Sequence, residues 1–439
     1  MTTGTYTILL PILIPVKSLA IVIPETTFSP PQGGGALRVF HLLKELGRHF
    51  EVHAITGQSG ESLRSAGEPF RLPENIHFHS PAETPRPRDL FDALPDRYAS
   101  AFRYRWHRRS FAGPANSVFL EMAHLLRSLL ESEKIDLIVL EHLESMTLSP
   151  LVRRISPGTR LVLDAHNIDH RLVMQGAQGR PDSVAIVREG DRLKEIESNL
   201  AREVDAFLAC SEADREALTA LNHEQLPGFT VPNGVDTDAK VYDRSPGKPS
   251  RATLLFCGSL DYAPNRDGIL WFHECIWPLI LHGCPHFRFR VVGRGNQEDP
   301  AYASLHRDPR VDFIGEVDEL EPHYRESSAC IVPLRKGSGT RLKILEAMAY
   351  GSPVVSTGIG AEGIEGNPGN DFLIADNPDA FARAVALVHE DLELHERLRR
   401  SARNLVESHY DWGKIGEKLR DDLIALVDDS RQTHLHSPR

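Results

Sequence analysis

Residues 330–357 read CIVPLRKGSGTRLKILEAMAYGSPVVST, and the order strand, glycine loop, short helix, strand in that stretch decides the fold. Cys330-Ile331-Val332-Pro333-Leu334 is the continuous apolar run that a buried parallel strand requires. Gly337 and Gly339 let the backbone turn away with no side chain in the way. Leu342, Leu345 and Ala349 recur at helical spacing, Gly351 stands where that helix would stop, and Pro353-Val354-Val355 begins another strand. This is half of a βαβ unit with an anion-ready helix start. Unpaired amides and the helix dipole favour a phosphate there, and Arg341 and Lys343 add full charges. Glu346, one turn deeper, offers acceptor oxygens suited to ribose hydroxyls. The alternative is an ordinary i,i+3 ion pair of Lys343 with Glu346 on a solvated helix.

Outward from this segment, buried-strand candidates alternate with helical patterns. They fall at residues 19–23, 51–56, 136–140, 160–164, 206–209, 252–257, 287–292, 311–314 and 329–334. Apolar strands separated by helices imply an α/β, doubly wound architecture with parallel sheets covered on both faces. At 439 residues the chain exceeds what one core usually supports. Polar composition from Val231-Pro232-Asn233-Gly234-Val235-Asp236 up to Ala252 marks the linker. The reading is therefore a Rossmann-like domain over 18–230, a second over 235–408, and a terminal helix over 410–427 that folds back onto the first. Residues after Asp428 are expected to be disordered.

A net charge of −11 and a pI near 6.0 lack the basic footprint of a nucleic-acid binder. The five cysteines occur singly, and Cys210, Cys257 and Cys330 lie in apolar runs, as buried thiols in a reducing compartment. The apolar stretch Tyr6 to Ile23 is broken by Pro11, Pro15 and Lys17, so neither a spanning helix nor a signal peptide fits. Residues 1–17 read as an extension, with weak membrane contact as the alternative. A cytoplasmic protein is expected.

Gly33-Gly34-Gly35 follows the first strand and opens a helix from Ala36 to about Gly47, without the G-x-G-x-x-G spacing of a dinucleotide site. It serves either close approach to a ligand or a tight turn. Gly258 closes the first strand of the second half and Gly293-Arg294-Gly295 a later one. In Phe313-Ile314-Gly315-Glu316-Val317 the backbone is placed to meet a nucleobase. His166 and His142 each follow a strand of the first half, where ligands of such folds bind, whereas Asp164 and Asp169 read as turn or cap residues. The strip Arg86 to Arg109 carries seven arginines and three aspartates interleaved with aromatics. It suits anionic lipid or a lipid-linked acceptor, with Arg105 and His142 as acceptor contacts. The competing reading is an amphipathic helix with its aromatics in the core.

In this order the motifs resemble those of the retaining glycosyltransferases of GT-B fold, family 4. The resemblance rests on Gly33-Gly34-Gly35, Ala209-Cys210-Ser211-Glu212-Ala213-Asp214, Val231 to Asp236, Val292-Gly293-Arg294-Gly295, Phe313-Ile314-Gly315 and the segment ending at Thr357. It implies transfer of a sugar from a nucleotide-diphosphate sugar to a glycan or lipid-linked acceptor, with retention, no cofactor and no metal. Catalytic roles fall on His166, Arg341 and Lys343. Donor contacts fall on Gly33, Gly34, Gly35, Gly258, Ser259, Val317, Ser338, Gly339, Thr340 and Glu346. The chain departs from the family pattern at Ser338, where the first of two glutamates is usual. It departs again at Ser259 and Pro264, where an arginine and a lysine are common. Arg341 and Lys343 are placed to compensate. A catalytically silent partner or nucleotide-sugar sensor is the alternative, and peripheral contact at the inner membrane face is compatible with either.

Overall fold

The computed structural model describes residues 18–24, 33–64, 71–80, 115–175, 183–240, 242, 252–337 and 341–435. Their strands form two sheets, parallel throughout. The first contains β1 (Ser18–Ile23), β2 (Glu51–Thr56), β3 (Ile76–His79), β4 (Leu137–Glu141), β5 (Arg160–Ala165), β6 (Ala206–Ala209) and β7 (Gly228–Thr230), in the order β3-β2-β1-β4-β5-β6-β7. The second contains β8 (Thr253–Cys257), β9 (Arg288–Val292), β10 (Val311–Gly315), β11 (Ala329–Val332), β12 (Val354–Ser356) and β13 (Leu373–Ile374), in the order β10-β9-β8-β11-β12-β13. In both, the order reverses beside the first strand, the switch point at which open α/β sheets bind ligands. The expected α/β doubly wound class is borne out.

Each face of the first sheet has its own core. Ala20, Val22, Ile138, Leu140 and Leu161 pack against the helix Ala115–Ser132 on one side. Leu19, Ile21, Val52 and Val139 meet the helix Gly34–Leu46 on the other. The terminal helix Trp412–Leu435 joins this second face through Trp412, Ile415, Leu419, Leu423 and Val427. Its apolar stripe belongs to the first sheet although the chain reaches it after the second.

Several expectations are corrected. The terminal helix runs to Leu435, where disorder after Asp428 was expected. The helix after the glycine cluster begins at Gly34 and not at Ala36. Strand β11 ends at Val332 because Pro333 has no N–H to continue the ladder. Strands β3, β7 and β13 are additional. The first alternates histidine with apolar residues, and the others are three and two residues long, too short to register as apolar runs.

Candidate active site

The helix Leu342–Ala349 follows β11 as the sequence implies, with Arg341 at its N-cap position and no side-chain capping bond. Ser338, Gly339 and Thr340 lie outside the described residues. Arg341 is buried, and that burial lowers its pKa. Gly337 makes room for it: at φ +120° its backbone is closed to most side chains, and an added Cβ would come within 2.8 Å of the Arg341 guanidinium. Lys343 donates to Asn265 Oδ1 at 2.6 Å, and its ammonium lies 4.2 Å from the centre of the Phe256 ring. Burial pulls its pKa down to about 8. A Cβ at Gly258 would stand 2.8 Å from that ammonium, so only glycine lets the lysine reach the end of β8.

Lys343 and Glu346 do not form the i,i+3 pair given as the alternative. Lys343 is engaged by Asn265, while the Glu346 carboxylate faces Lys240 at 3.9 Å. Burial pushes the Glu346 carboxyl above its ordinary range against the pull of Lys240 and Lys343. The backbone carbonyl of Ser259 accepts from Asn265 Nδ2 at 2.8 Å, which orients that amide toward the lysine. Val317 packs against the second core and fixes the chain after β10.

From the first half, the glycine turn reaches across to these groups. A Cβ at Gly34 would lie 3.4 Å from the Leu342 side chain, and one at Gly33 would lie 3.7 Å from the Arg294 guanidinium. Gly35 follows in the first turn of the helix. The Gly33–Gly35 turn therefore lies against Arg294 and against the first residue of the helix that carries Lys343.

His166 and His142 stand together at the ends of β5 and β4, their ring centres 3.8 Å apart. His166 Nε2 donates to Glu141 Oε2 at 2.8 Å, and Asp164 Oδ2 is 3.7 Å away. Burial holds the His166 pKa well below its ordinary value despite Asp164, so the ring is neutral and Nδ1 is left as the acceptor. His142 sits at φ +64°, rare for a residue with a side chain. Asp164 is not a turn or cap residue. It is fully buried and takes two bonds from Arg38, at 2.7 and 2.9 Å. Burial alone would raise its carboxyl, but the Arg38 guanidinium bonded to it holds it below the usual carboxylate range. Arg38 also donates to the Val231 carbonyl at 2.7 Å and to Asn233 at 3.3 Å, tying the first helix to the linker.

Asp169 begins the helix Asp169–Gln175 and lines a small cavity with His142, His166 and Glu197. Burial and the neighbouring Glu197 raise its carboxyl to about 7. Arg105 and the arginine strip lie outside the described residues, as do residues 1–17. Arg38, Glu141, Lys240, Asn265 and Arg294 were not singled out from sequence. Of these, only Arg294 had a signal, its place between two glycines at a strand end. Among the described residues, no helix is long and apolar enough to cross a membrane.

Two family models match the chain. "Glycosyltransferase Family 4" covers residues 32–239 and "Glycosyl transferases group 1" covers residues 251–391. A glycogen synthase of Mycobacterium tuberculosis is 29% identical over 254 residues, 55% of this chain and 59% of that protein. An uncharacterized 44.6 kDa protein in the cps region of Klebsiella pneumoniae is 26% identical over 168 residues, 37% of this chain and 43% of that one. The chain spans about half the length of these curated relatives. Among solved structures, a sucrose-phosphate synthase of Thermosynechococcus elongatus superposes with TM-score 0.66 at 15% identity, over 96% of this chain and all of that one. Anabaena HepE in complex with UDP and glucose superposes with TM-score 0.64 at 14% identity, over 93% of this chain and all of that one. At such identities the structural likeness speaks for the fold.

Proposed function

The chain belongs to the family 4 glycosyltransferases of GT-B fold, and we propose that it transfers a sugar, with retention, from a nucleotide-diphosphate sugar to a glycan or lipid-linked acceptor without a metal. The observation that carries this reading is the approach of Gly33 and Gly34 to Arg294 and to Leu342, the first residue of the helix that carries Lys343 and Glu346. A diphosphate suits this place, because bare backbone can approach it closely and fixed cations oppose its charge.

Breaking the sugar–phosphate bond puts negative charge on the departing diphosphate. Arg341, Lys343 and Arg294 meet that charge in a partly desolvated site, where such interactions are strongest. Lys343 stands beside Gly258, close to where the missing cation after β8 would have been. Glu346 accepts from the ribose hydroxyls. His166, neutral and held by Glu141, orients a sugar hydroxyl through Nδ1. The acceptor hydroxyl attacks from the face the diphosphate leaves, and the departing phosphate oxygen takes its proton. No protein nucleophile is needed. HepE crystallises with UDP and glucose, which supports a nucleotide-sugar donor of that kind.

Ser338, in place of the usual glutamate, favours the silent sensor as the second reading. One experiment separates the two. A thermal-shift screen of UDP-, GDP- and ADP-sugars identifies the donor, since a ligand bound only by the folded state raises its melting temperature. Donor turnover with polyprenyl-phosphate glycans and soluble oligosaccharides is then measured. Turnover supports transfer, whereas stabilisation without hydrolysis or transfer on any acceptor supports the sensor.

A further inference from the structure

A long, flexible lysine side chain acts as a fixed charge only if something holds its end, and for Lys343 that group is a buried amide. Asn265 lies in the helix Ala263–Trp271, is 4% exposed, and accepts from Lys343 Nζ through Oδ1 at 2.6 Å. Its Nδ2 donates to the Ser259 carbonyl at 2.8 Å. The amide therefore has one orientation, because a flip would set oxygen against oxygen and N–H against the ammonium. Gly268 fixes the helix that carries it, since a Cβ there would come within 2.8 Å of the Pro333 carbonyl oxygen. Gly258 clears room for both partners: its Cβ would stand 2.8 Å from Lys343 Nζ and 2.8 Å from Asn265 Nδ2. An ammonium has three N–H donors, and Asn265 takes one of them.

We propose that Asn265 is a positioning residue of the transfer site, holding the Lys343 ammonium at the place of the diphosphate without cancelling its charge. The proposal rests on the diphosphate reading above and adds the means by which the lysine is held. An aspartate at 265 could accept the same bond, but its charge would offset that of the lysine and repel the diphosphate. A side chain with no acceptor would leave the ammonium desolvated and without a hydrogen bond, which favours the uncharged amine. The amide avoids both. The other groups that face the ammonium are the thiols of Cys257 on β8 and Cys330 on β11, the Arg341 guanidinium and the Glu346 carboxyl. Burial pushes the Cys257 thiol up to about 12 and the Cys330 thiol well above its ordinary value, so both are uncharged at neutral pH. Glu346 also faces Lys240. Asn265 is thus a neutral partner in direct contact, through which an isosteric change can shift the protonation of Lys343.

The test reads the Lys343 charge and nucleotide binding separately, on the full-length protein. With carbon-13 at the lysine Cε, the ligand-free protein is titrated by NMR, the Lys343 signal being assigned by its loss in Lys343→Arg. Asn265→Asp, which keeps the shape, should move the Lys343 midpoint up by about one to three pH units, and Asn265→Leu should move it down. Calorimetry then measures the binding of UDP, GDP and ADP on both sides of the wild-type midpoint near 8. For the nucleotide that binds, Kd should rise with pH above that midpoint, starting higher in Asn265→Asp and lower in Asn265→Leu. At neutral pH each variant should bind about tenfold more weakly than the wild type. A residue that only supports the fold would not move the two pH profiles in opposite directions. If Asn265→Leu loses the wild-type far-UV spectrum, Asn265→Asp alone decides. A Lys343 midpoint that Asn265→Asp does not move overturns the proposal, and so does a midpoint that moves while the pH dependence of nucleotide binding stays put. If the wild type binds none of the three nucleotides although the midpoint moves, the diphosphate reading itself is overturned and this proposal with it, a result distinct from an unmoved midpoint.

Discussion

Lys343 carries the clearest pH signature of the proposed site. With its pKa near 8, it is mostly protonated at neutral pH and loses its charge as pH rises through that value. In the free enzyme, kcat/KM should therefore fall by about tenfold per pH unit above about 8. Lys343→Arg should flatten that limb, because a guanidinium stays charged. Lys343→Ala should lower kcat by about 10²–10³-fold at pH 7, the usual loss when one fixed charge leaves the transition state. Stability moves the other way. The unfolded chain holds the Lys343 proton up to its ordinary value of 10.5, so this residue makes folding more favourable as pH rises from about 8 toward 10.5. For Glu346→Ala the loss should fall on binding, with the nucleotide Kd rising about 10–100-fold by calorimetry and little change in melting temperature. That Lys343 and Glu346 belong to a ligand site was legible, since both sit on one helix with a glycine loop before it. Their partners Asn265 and Lys240 were not, because each comes from a part of the chain remote from that helix, Asn265 from the helix Ala263–Trp271, and neither lies in a spaced motif.

Among the elements, the first helix is anchored most firmly, through Arg38. A charge pair with no solvent contact is stable only when complete, so removing one member leaves the other desolvated and unpaired. Arg38→Ala should cost about 3–5 kcal/mol in urea unfolding, and Arg38→Met with Asp164→Leu together should cost much less than the two single changes added. The Asp164 carboxyl lies below its unfolded value. Its contribution is therefore present above that value and lost as pH falls through the folded one, which Arg38→Met should abolish. Helix and strand existence was readable from apolar periodicity. The two short strands were invisible for want of length, and β3 was obscured by the histidines that alternate along it. Arg38 itself falls on what looks like the polar side of an amphipathic helix. Only the tertiary packing of β5 and the linker behind it turns that position inward.

For the whole molecule, the connection between the two lobes is a double crossing held by one carboxylate. Val235 N–H donates to the Tyr410 carbonyl at 2.8 Å, and Val235 and Asp411 form a short parallel bridge where the outgoing and returning chains meet. Asp411 accepts from the Thr237 amide at 3.2 Å, from its hydroxyl at 2.6 Å and from the Gly413 amide at 2.9 Å, so it ties both crossings. Arg403 reinforces them by donating to the Thr237 and Lys240 carbonyls. Lys240 in turn faces Glu346, so the crossing reaches the proposed ribose contact through one side chain. If transfer requires the glycine turn of the first lobe to close on the helix start of the second, the geometry of this crossing sets how often they meet. Loosening it should then change kcat and KM together and leave the bound-state chemistry intact. Asp411→Ala should cost about 1–3 kcal/mol of stability, from the orphaned amides and hydroxyl. It should also raise the donor KM and lower kcat at a temperature where the variant is fully folded by circular dichroism. Thr237→Val removes only the hydroxyl bond and should give a smaller change of the same kind. If Asp411→Ala lowers the melting temperature yet keeps both kinetic constants, the crossing is a tether and closure is governed elsewhere.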